Sequence, residues 1–289
     1  MIVRYVLIIG VTLCIVTLVL LLKQGEPATA TGVAVGSLPV KFWEEKAFYD
    51  GLEEIDTRKR GESYVGAVVP HHLIAGGIIA DIFARVPQTA HTIILIGPNH
   101  YEVGSAPVIS SQKNWDTVFG IIEADQGLLE RLEKKRLLAF SDKVMIEEHS
   151  TQGMMPYVKY FAPEAKVVPL ILSATMSREE LESLAAALKG EIEKGAIVIA
   201  AVDFSHHLPG AEAEKRDAVT LEALRTKNID WLLRLNTEYL DSPQSIALLL
   251  MLMNLTGHDT FALEHHSNSG ELLRDSSIEV TSYIAGTFR

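Results

Sequence analysis

The chain contains one cysteine, Cys14, among 289 residues. Because Cys14 lies in an uncharged N-terminal stretch, the rest of the chain can form no disulfide, thiolate metal site or cysteine nucleophile. A metal ion bound there must take its ligands from His, Asp, Glu or water. Basic residues are also few, 26 against 37 acidic residues, which gives a formal net charge of -11. Since such a surface repels phosphate backbones, we expect no nucleic-acid partner.

Three common catalytic motifs are absent from the sequence. Without a G-x-S-x-G elbow there is no sign of the usual serine hydrolase nucleophile, and Ser205 stands too close to His206 in sequence to form a nucleophile and base pair. Without a Walker A loop or a G-x-G-x-x-G fingerprint after a strand, nucleotide cofactors gain no support.

The N-terminal region carries one long apolar segment. Residues 5–22 include no charge, and a helix of that length spans roughly 27 Å, close to the ~30 Å hydrocarbon core of a bilayer. We therefore predict a single-pass transmembrane anchor over residues 1–23, with a cleaved signal peptide as the alternative because Ala28-Thr29-Ala30 resembles a cleavage site. Arg4 favours a cytoplasmic N-terminus and hence an extracytoplasmic domain. Residues 24–60, without periodicity, predict a linker and irregular lead-in.

Residues 61–289 predict one α/β domain. Apolar runs at 65–69, 92–96, 167–172 and 197–202 alternate with helical patterns at 74–86, 126–135, 150–161 and 178–193, and further helical patterns follow between 211 and 255. Fully apolar strands alternating with helices predict a mainly parallel or mixed sheet sandwiched by helices. Segments 261–265 and 278–284 predict an antiparallel edge pair. In such sheets ligands bind beyond the carboxyl ends of the strands.

Histidine follows three of the predicted strands. The first strand ends in Pro70-His71-His72, the second in Asn99-His100, and a later one in Asp203-Phe204-Ser205-His206-His207. One histidine alone is usually a helix cap or a hydrogen-bonded core residue, but three histidine motifs at one edge of the sheet favour a functional site. Neutral imidazole is a common ligand for Fe, Zn and Cu, and two histidines with one carboxylate leave coordination positions open.

Two further motifs have both structural and functional interpretations. In Glu147-Glu148-His149-Ser150, Ser150 is expected to cap a helix, with the acids facing its positive end. Asp241-Ser242-Pro243 either begins a helix with proline in the first turn or supplies a metal ligand. We assign no role to the histidines at 258, 265 and 266.

Taken in order, these motifs resemble the Memo-like family, also called AmmeMemoRadiSam system protein B. The matching motifs are Val69-Pro70-His71, Ile96-Gly97-Pro98-Asn99-His100, Glu148-His149-Ser150 with Met155-Pro156-Tyr157, Asp203-Phe204-Ser205-His206 and Ser282-Tyr283-Ile284-Ala285-Gly286. The resemblance covers about residues 64–288. It implies a fold similar to that of class III extradiol dioxygenases, which use non-haem Fe(II).

The resemblance also implies a set of metal ligands. His71 and His100 match the two histidines of the family's metal site, and Asp241 matches the position at which well-known members have a cysteine, with Ser242 as the alternative. Two histidines and a carboxylate suit Fe(II), with Cu or Zn as other candidates. The resemblance therefore implies a metal site that uses no thiolate.

Catalytic roles are implied in the same way. His206 matches an acid-base histidine of the dioxygenases, Asp203 would orient it, and His149 would complete the pocket wall. The chain departs from the family at Gln152, where members commonly have Glu, and at Met154, where a polar residue is frequent.

Two functions follow as expectations. One is a non-haem iron or copper dependent redox enzyme, similar to a dioxygenase, acting on a small molecule. The other is a non-catalytic module that binds a small molecule or a peptide in the same cleft. A phosphate- or zinc-dependent hydrolase ranks third.

Overall fold

A computed structural model describes residues 36–289, except Arg60 and Ser105. The predicted anchor over residues 1–23 and the beginning of the predicted linker therefore lie outside the described residues. Within residues 36–289, no helix combines the length and the apolar character that crossing a bilayer requires.

Thirteen strands occur in this part of the chain. They are β1 (Ser37–Pro39), β2 (Gly66–Val69), β3 (Thr92–Pro98), β4 (Val108–Ser110), β5 (Asn114–Thr117), β6 (Gly120–Ile122), β7 (Ala139–Phe140), β8 (Lys166–Leu172), β9 (Ile197–Ala201), β10 (Leu208–Pro209), β11 (Phe261–Asn268), β12 (Glu279–Val280) and β13 (Ser282–Phe288). Eight of them form one sheet in the order β11-β13-β2-β9-β3-β8-β4-β7. A three-stranded sheet, β1-β5-β6, and the pair β10-β12 stand beside it.

The centre of the large sheet is parallel and its flanks are mixed. Strands β2, β9, β3 and β8 run parallel, and β13 and β4 pair antiparallel to β2 and β8. β11 pairs antiparallel with β13 at one edge, which confirms the predicted antiparallel pair. Every residue of β2, β3 and β9 is buried, as expected for strands covered on both faces.

Within residues 36–289, eleven α-helices surround the sheet. They are α1 (Glu45–Glu53), α2 (Gly76–Phe83), α3 (Gln126–Lys134), α4 (Asp142–Met145), α5 (His149–Gln152), α6 (Met155–Phe161), α7 (Arg178–Glu193), α8 (Gly210–Thr226), α9 (Ile229–Leu232), α10 (Pro243–Thr256) and α11 (Ser269–Leu273). Alternate residues of β3 enter different cores, Ile94 with α3, α7 and α10 on one face and Ile93 with α2 and α6 on the other. The mixed sheet flanked by helices is thereby confirmed.

The lead-in differs from the sequence-based expectation of an irregular segment over residues 24–60. Its described part includes β1, which pairs with β5, and α1, which packs on α2. Phe48 is fully buried, and a Cβ on Gly76 would lie 2.2 Å from the carbonyl oxygen of Ala47. The close approach of the two helices therefore requires glycine at this position. The helix α1 was not predicted because its sequence is mostly polar and only one face of it is buried.

Candidate metal centre

The candidate site lies where three neighbouring strands end. β2, β9 and β3 are adjacent and parallel, so their carboxyl ends share one edge of the sheet. That edge carries His71 after β2, Asp203 after β9 and His100 after β3. The structure therefore brings the histidine motifs together as the sequence pattern predicts.

Three imidazole rings meet at this edge. His100 and His149 stack with ring centroids 4.2 Å apart, and His71 meets both rings edge-on at 5.0 and 5.2 Å. One ligand atom from each of the three lies within 4.8 Å of the others, and the same holds for the set of His71, Asp203 and Asp241. Imidazole and carboxylate at this spacing are the donor types that Fe, Cu and Zn accept.

Asp241 faces the histidines through its side chain. Its Oδ2 lies 3.2 Å from Nε2 of His71 and 3.5 Å from Nε2 of His100. Its Oδ1 is buried and has no hydrogen-bond partner among the described residues, a costly state for a carboxylate oxygen. The residues present therefore fit a cation that would be shared by these three side chains.

The alternative interpretations of the Asp241 motif are decided by its neighbour. Ser242 is the N-cap of α10, and its Oγ accepts a hydrogen bond from the backbone N–H of Ser245 at 3.2 Å. The capping function thus belongs to Ser242, whose hydroxyl is also 2.6 Å from that of Ser245. Asp241 is therefore not the N-cap of this helix.

Glu148 holds His100 in place. The carboxylate accepts hydrogen bonds from the backbone N–H of His100 at 2.9 Å and from its Nδ1 at 2.7 Å. It also accepts the backbone N–H of Ser150 at 2.9 Å and is the N-cap of α5. The prediction that Ser150 caps this helix is wrong, because its hydroxyl donates instead to the carbonyl of Pro98. Histidines that bind a metal usually donate a hydrogen bond from the other ring nitrogen to a carboxylate or a carbonyl, which fixes the ring.

His71 is fixed in a similar way. Its Nδ1–H donates to the carbonyl of Ala201 at 3.2 Å, which leaves Nε2 toward Asp241. The carboxylate of Asp203 accepts the backbone N–H groups of His71 at 3.0 Å and His72 at 3.3 Å. In both candidate ligands, the nitrogen that faces Asp241 is therefore Nε2.

Comparison with known proteins identifies the family. A family model described as "Memo-like protein" matches residues 46–287. The chain belongs to the Memo-like family. A "MEMO1 family protein" of Methanosarcina acetivorans is 30% identical over 250 residues, covering 83% of this chain and 91% of that one. One from Methanococcoides burtonii is 35% identical over 169 residues, covering 56% of this chain and 62% of that protein.

A solved structure is also similar to this Memo-like chain. An uncharacterized protein of Escherichia coli K12 aligns with a TM-score of 0.48 at 12% identity, covering 76% of this chain and 98% of that one. The family assignment rests on the sequence matches, and the names of these relatives state no activity.

Burial and charge give the site histidines of this family member different proton affinities. For His100, burial disfavours the charged ring, but hydrogen bonds to Asp241 and Glu148 outweigh it and raise the pKa to about 10. For His149, burial and then the neighbouring His71 and His100 lower the pKa to about 4. His100 thus carries a proton between two carboxylates at neutral pH, in the place a metal cation would take.

His206 lies close to this centre but outside the set of candidate ligands. Burial lowers its pKa, and its Nδ1 is buried without a hydrogen-bond partner among the described residues. Asp203 binds the backbone of the loop after β2, and within the described part of the chain no hydrogen bond joins it to His206. The orienting role of Asp203 stays a prediction.

Two site residues were missed from the sequence. Glu148 appeared there only as a helix-end acid, and Tyr283 only as part of a family motif. The hydroxyl of Tyr283 lies 2.8 Å from Nδ1 of His72. Two late histidines, His265 and His266, pair with Asp81 and Asp217 at 2.8 Å each.

Proposed function

We propose that this Memo-like protein binds a divalent metal ion through His71, His100 and Asp241 and uses it in a redox reaction on a small molecule. The observation that carries the proposal is the arrangement of Asp241. Its carboxylate faces two imidazole Nε2 atoms, and one of its oxygens is buried without a hydrogen-bond partner in the described part of the chain. The helix cap that would otherwise explain an acid here is supplied by Ser242.

The donor set favours iron. Two imidazoles and one carboxylate, without a thiolate, suit Fe(II) and leave coordination positions open, whereas a softer set would favour Cu(I). A ferrous ion supplies redox chemistry at such positions when bound. Cu and Zn are the competing ions, and a non-catalytic binding module in the same cleft is the competing function.

The other side chains around the centre have different proposed roles. Glu148 and the carbonyl of Ala201 hold the two candidate histidine ligands, so that each presents Nε2. Burial lowers the pKa of His206, and its Nδ1 has no hydrogen-bond partner among the described residues. His206 is the group that we propose accepts a proton from the substrate. His149 forms one wall of the cleft through its stack on His100.

Anaerobic purification of the full-length chain, reconstitution with Fe(II), Cu and Zn in turn, and elemental analysis test the proposal. We expect one equivalent of Fe(II) in the wild type and loss of it in His71→Ala and in His100→Ala. Because His71 is 4% exposed and donates to a carbonyl, its removal should also cost about 1–3 kcal/mol of stability. The control is the exposed His91→Ala; full iron content in either site variant would refute the ligand pair.

A further inference from the structure

A cavity lies directly over the candidate metal centre. Its volume is about 400 Å³, which falls within the range of small-molecule sites. Its lining residues form two groups by polarity. The apolar group, called the wall below, is Phe42, Ala47, Leu73 and Ile74, and the polar group, called the floor below, is His71, His72, His149 and Asp203; Glu44 also lines the cavity.

The apolar wall includes part of the lead-in, which is fixed to the domain. The ring of Phe42 lies 5.7 Å from that of His149. Beside it, the backbone N–H of Lys41 donates to the side-chain oxygen of Gln152, and its ammonium pairs with Glu147. Phe42 is therefore held over the histidines. Both Phe42 and Glu44 precede residue 46, where the family match begins, so family membership says nothing about them.

The charges around the cavity disfavour anions. No lysine or arginine is among the described residues that line it, whereas Glu44 and Asp203 are. Below it, Asp203, Asp241 and Glu148 provide three carboxylates, more than enough to neutralise a divalent ion. Protonated His100 is already paired with Glu148 and Asp241. A carboxylate or phosphate ligand would therefore meet no free cation among the described lining residues, and desolvating an unpaired charge is expensive.

The imidazole of His72, on the floor, is held in one orientation toward a ligand. Because Nδ1 of His72 is engaged by the hydroxyl of Tyr283 at 2.8 Å, the ring nitrogen left to meet a ligand is Nε2. Tyr283 is fully buried, so the imidazole has little freedom to turn. The floor thus offers a fixed hydrogen-bonding position next to the apolar wall.

We propose that this cavity binds an uncharged small molecule with one flat apolar ring, and that Phe42 determines this selectivity. The ring packs against Phe42, Leu73 and Ile74, and the polar substituent points toward His72 and the metal centre. The proposal rests on the proposed function in so far as it names this molecule as the class of substrate for the metal site.

Two probes with the same ring and similar size test the charge requirement. Benzyl alcohol is uncharged and benzoate is an anion, and binding of each to the full-length chain is measured by saturation-transfer difference NMR, without metal and with Zn(II). We expect benzyl alcohol to bind in both forms and benzoate to bind about tenfold more weakly or not at all, because its charge must be desolvated beside carboxylates.

Three variants test the role of the wall. Phe42→Ala should weaken benzyl alcohol binding by about tenfold through lost apolar contact. Phe42→Leu keeps the wall apolar and should weaken binding less. Trp231→Ala, which removes an exposed aromatic ring outside the cavity, should leave binding unchanged. Thermal melts of all three show whether they are folded.

The outcomes separate this proposal from the metal proposal. Equal binding of benzoate and benzyl alcohol, or unchanged binding in both Phe42 variants, would overturn it. A wild type that takes up metal but binds neither probe would overturn it as well, with the metal site intact. If the chain fails to take up Fe(II), Cu or Zn on reconstitution but still binds benzyl alcohol in a Phe42-dependent way, the cavity is supported and the metal centre is refuted.

Discussion

Replacement of Asp241 by Asn is the most informative change at the candidate centre. The amide has the same shape, but it lacks the negative charge that faces Nε2 of His71 at 3.2 Å and Nε2 of His100 at 3.5 Å. Since removing even a residue that supports a metal ligand costs 10–100-fold in affinity, we expect Asp241→Asn to weaken Fe(II) binding by at least ~100-fold.

That loss translates into a measurable change in thermal stability. At a free metal concentration of about 100 times Kd, binding stabilises the wild type by about 2.7 kcal/mol. For a domain of this size, 1 kcal/mol shifts Tm by about 2–4 °C, so Fe(II) should raise Tm by roughly 5–11 °C. With ~100-fold weaker binding the stabilisation falls to about 0.4 kcal/mol, and the shift to about 1 °C.

The assay compares anaerobic melts of wild type and Asp241→Asn with and without Fe(II). The metal-free melts should nearly coincide, because the cap of α10 is Ser242 and survives the change. Asp116→Asn, at an exposed position, is the matched control and should show the full metal-induced shift. The reasoning is refuted if Asp241→Asn retains that shift, or if its metal-free form melts far below the wild type.

Two further substitutions and one membrane extraction test the remaining conclusions. Ser242→Ala should lower stability by about 1 kcal/mol through the lost cap and leave metal content intact; loss of metal would show that Ser242 is a ligand. Burial opposes the charged form of Glu264, but hydrogen bonds from Lys59 and Arg85 outweigh it and lower its pKa. Its stabilisation is therefore present above the unfolded pKa of about 4.3 and lost as pH falls through the folded pKa. From about pH 5 to 3 the denaturation midpoint of Glu264→Gln should therefore decline less than that of the wild type; parallel declines would contradict this. If residues 5–22 anchor the chain, the domain should stay in the membrane after carbonate extraction; a soluble form beginning near residue 31 would contradict that.

Several elements could be predicted from the sequence because their signals are local. Helix α7 begins and ends where its periodicity predicts, and Ser177 and Glu180 form the capping box that marks its start. The fully apolar runs of β3 and β9 indicated burial on both faces before any packing was known. His71 and His100 were identifiable because parallel strands deliver their last residues to one edge.

The short and polar elements escaped prediction. The segments β4 to β7 are two to four residues long, too short to show a period. Helix α1 has one buried face and many charges, so its place against α2 depends on the glycine contact at Gly76. Ser150 resembled a cap in sequence, but the helix begins one residue earlier, where Glu148 is the N-cap and accepts the backbone N–H of Ser150.

The candidate metal centre shows the division most clearly. The sequence determined that histidines stand at the ends of β2 and β3, since the strand pattern and the position of each histidine are local properties. From the sequence alone, Asp241 had two interpretations, a helix cap or a metal ligand. Tertiary structure gave the cap to Ser242 and placed Asp241 beside His71 and His100, because a bridge between Phe204 and Leu240 brings that loop beside the end of β9. The support that Glu148 gives to His100, across 48 residues of sequence, likewise exists only once the chain has packed, since periodicity reports burial and cannot report which distant side chains meet.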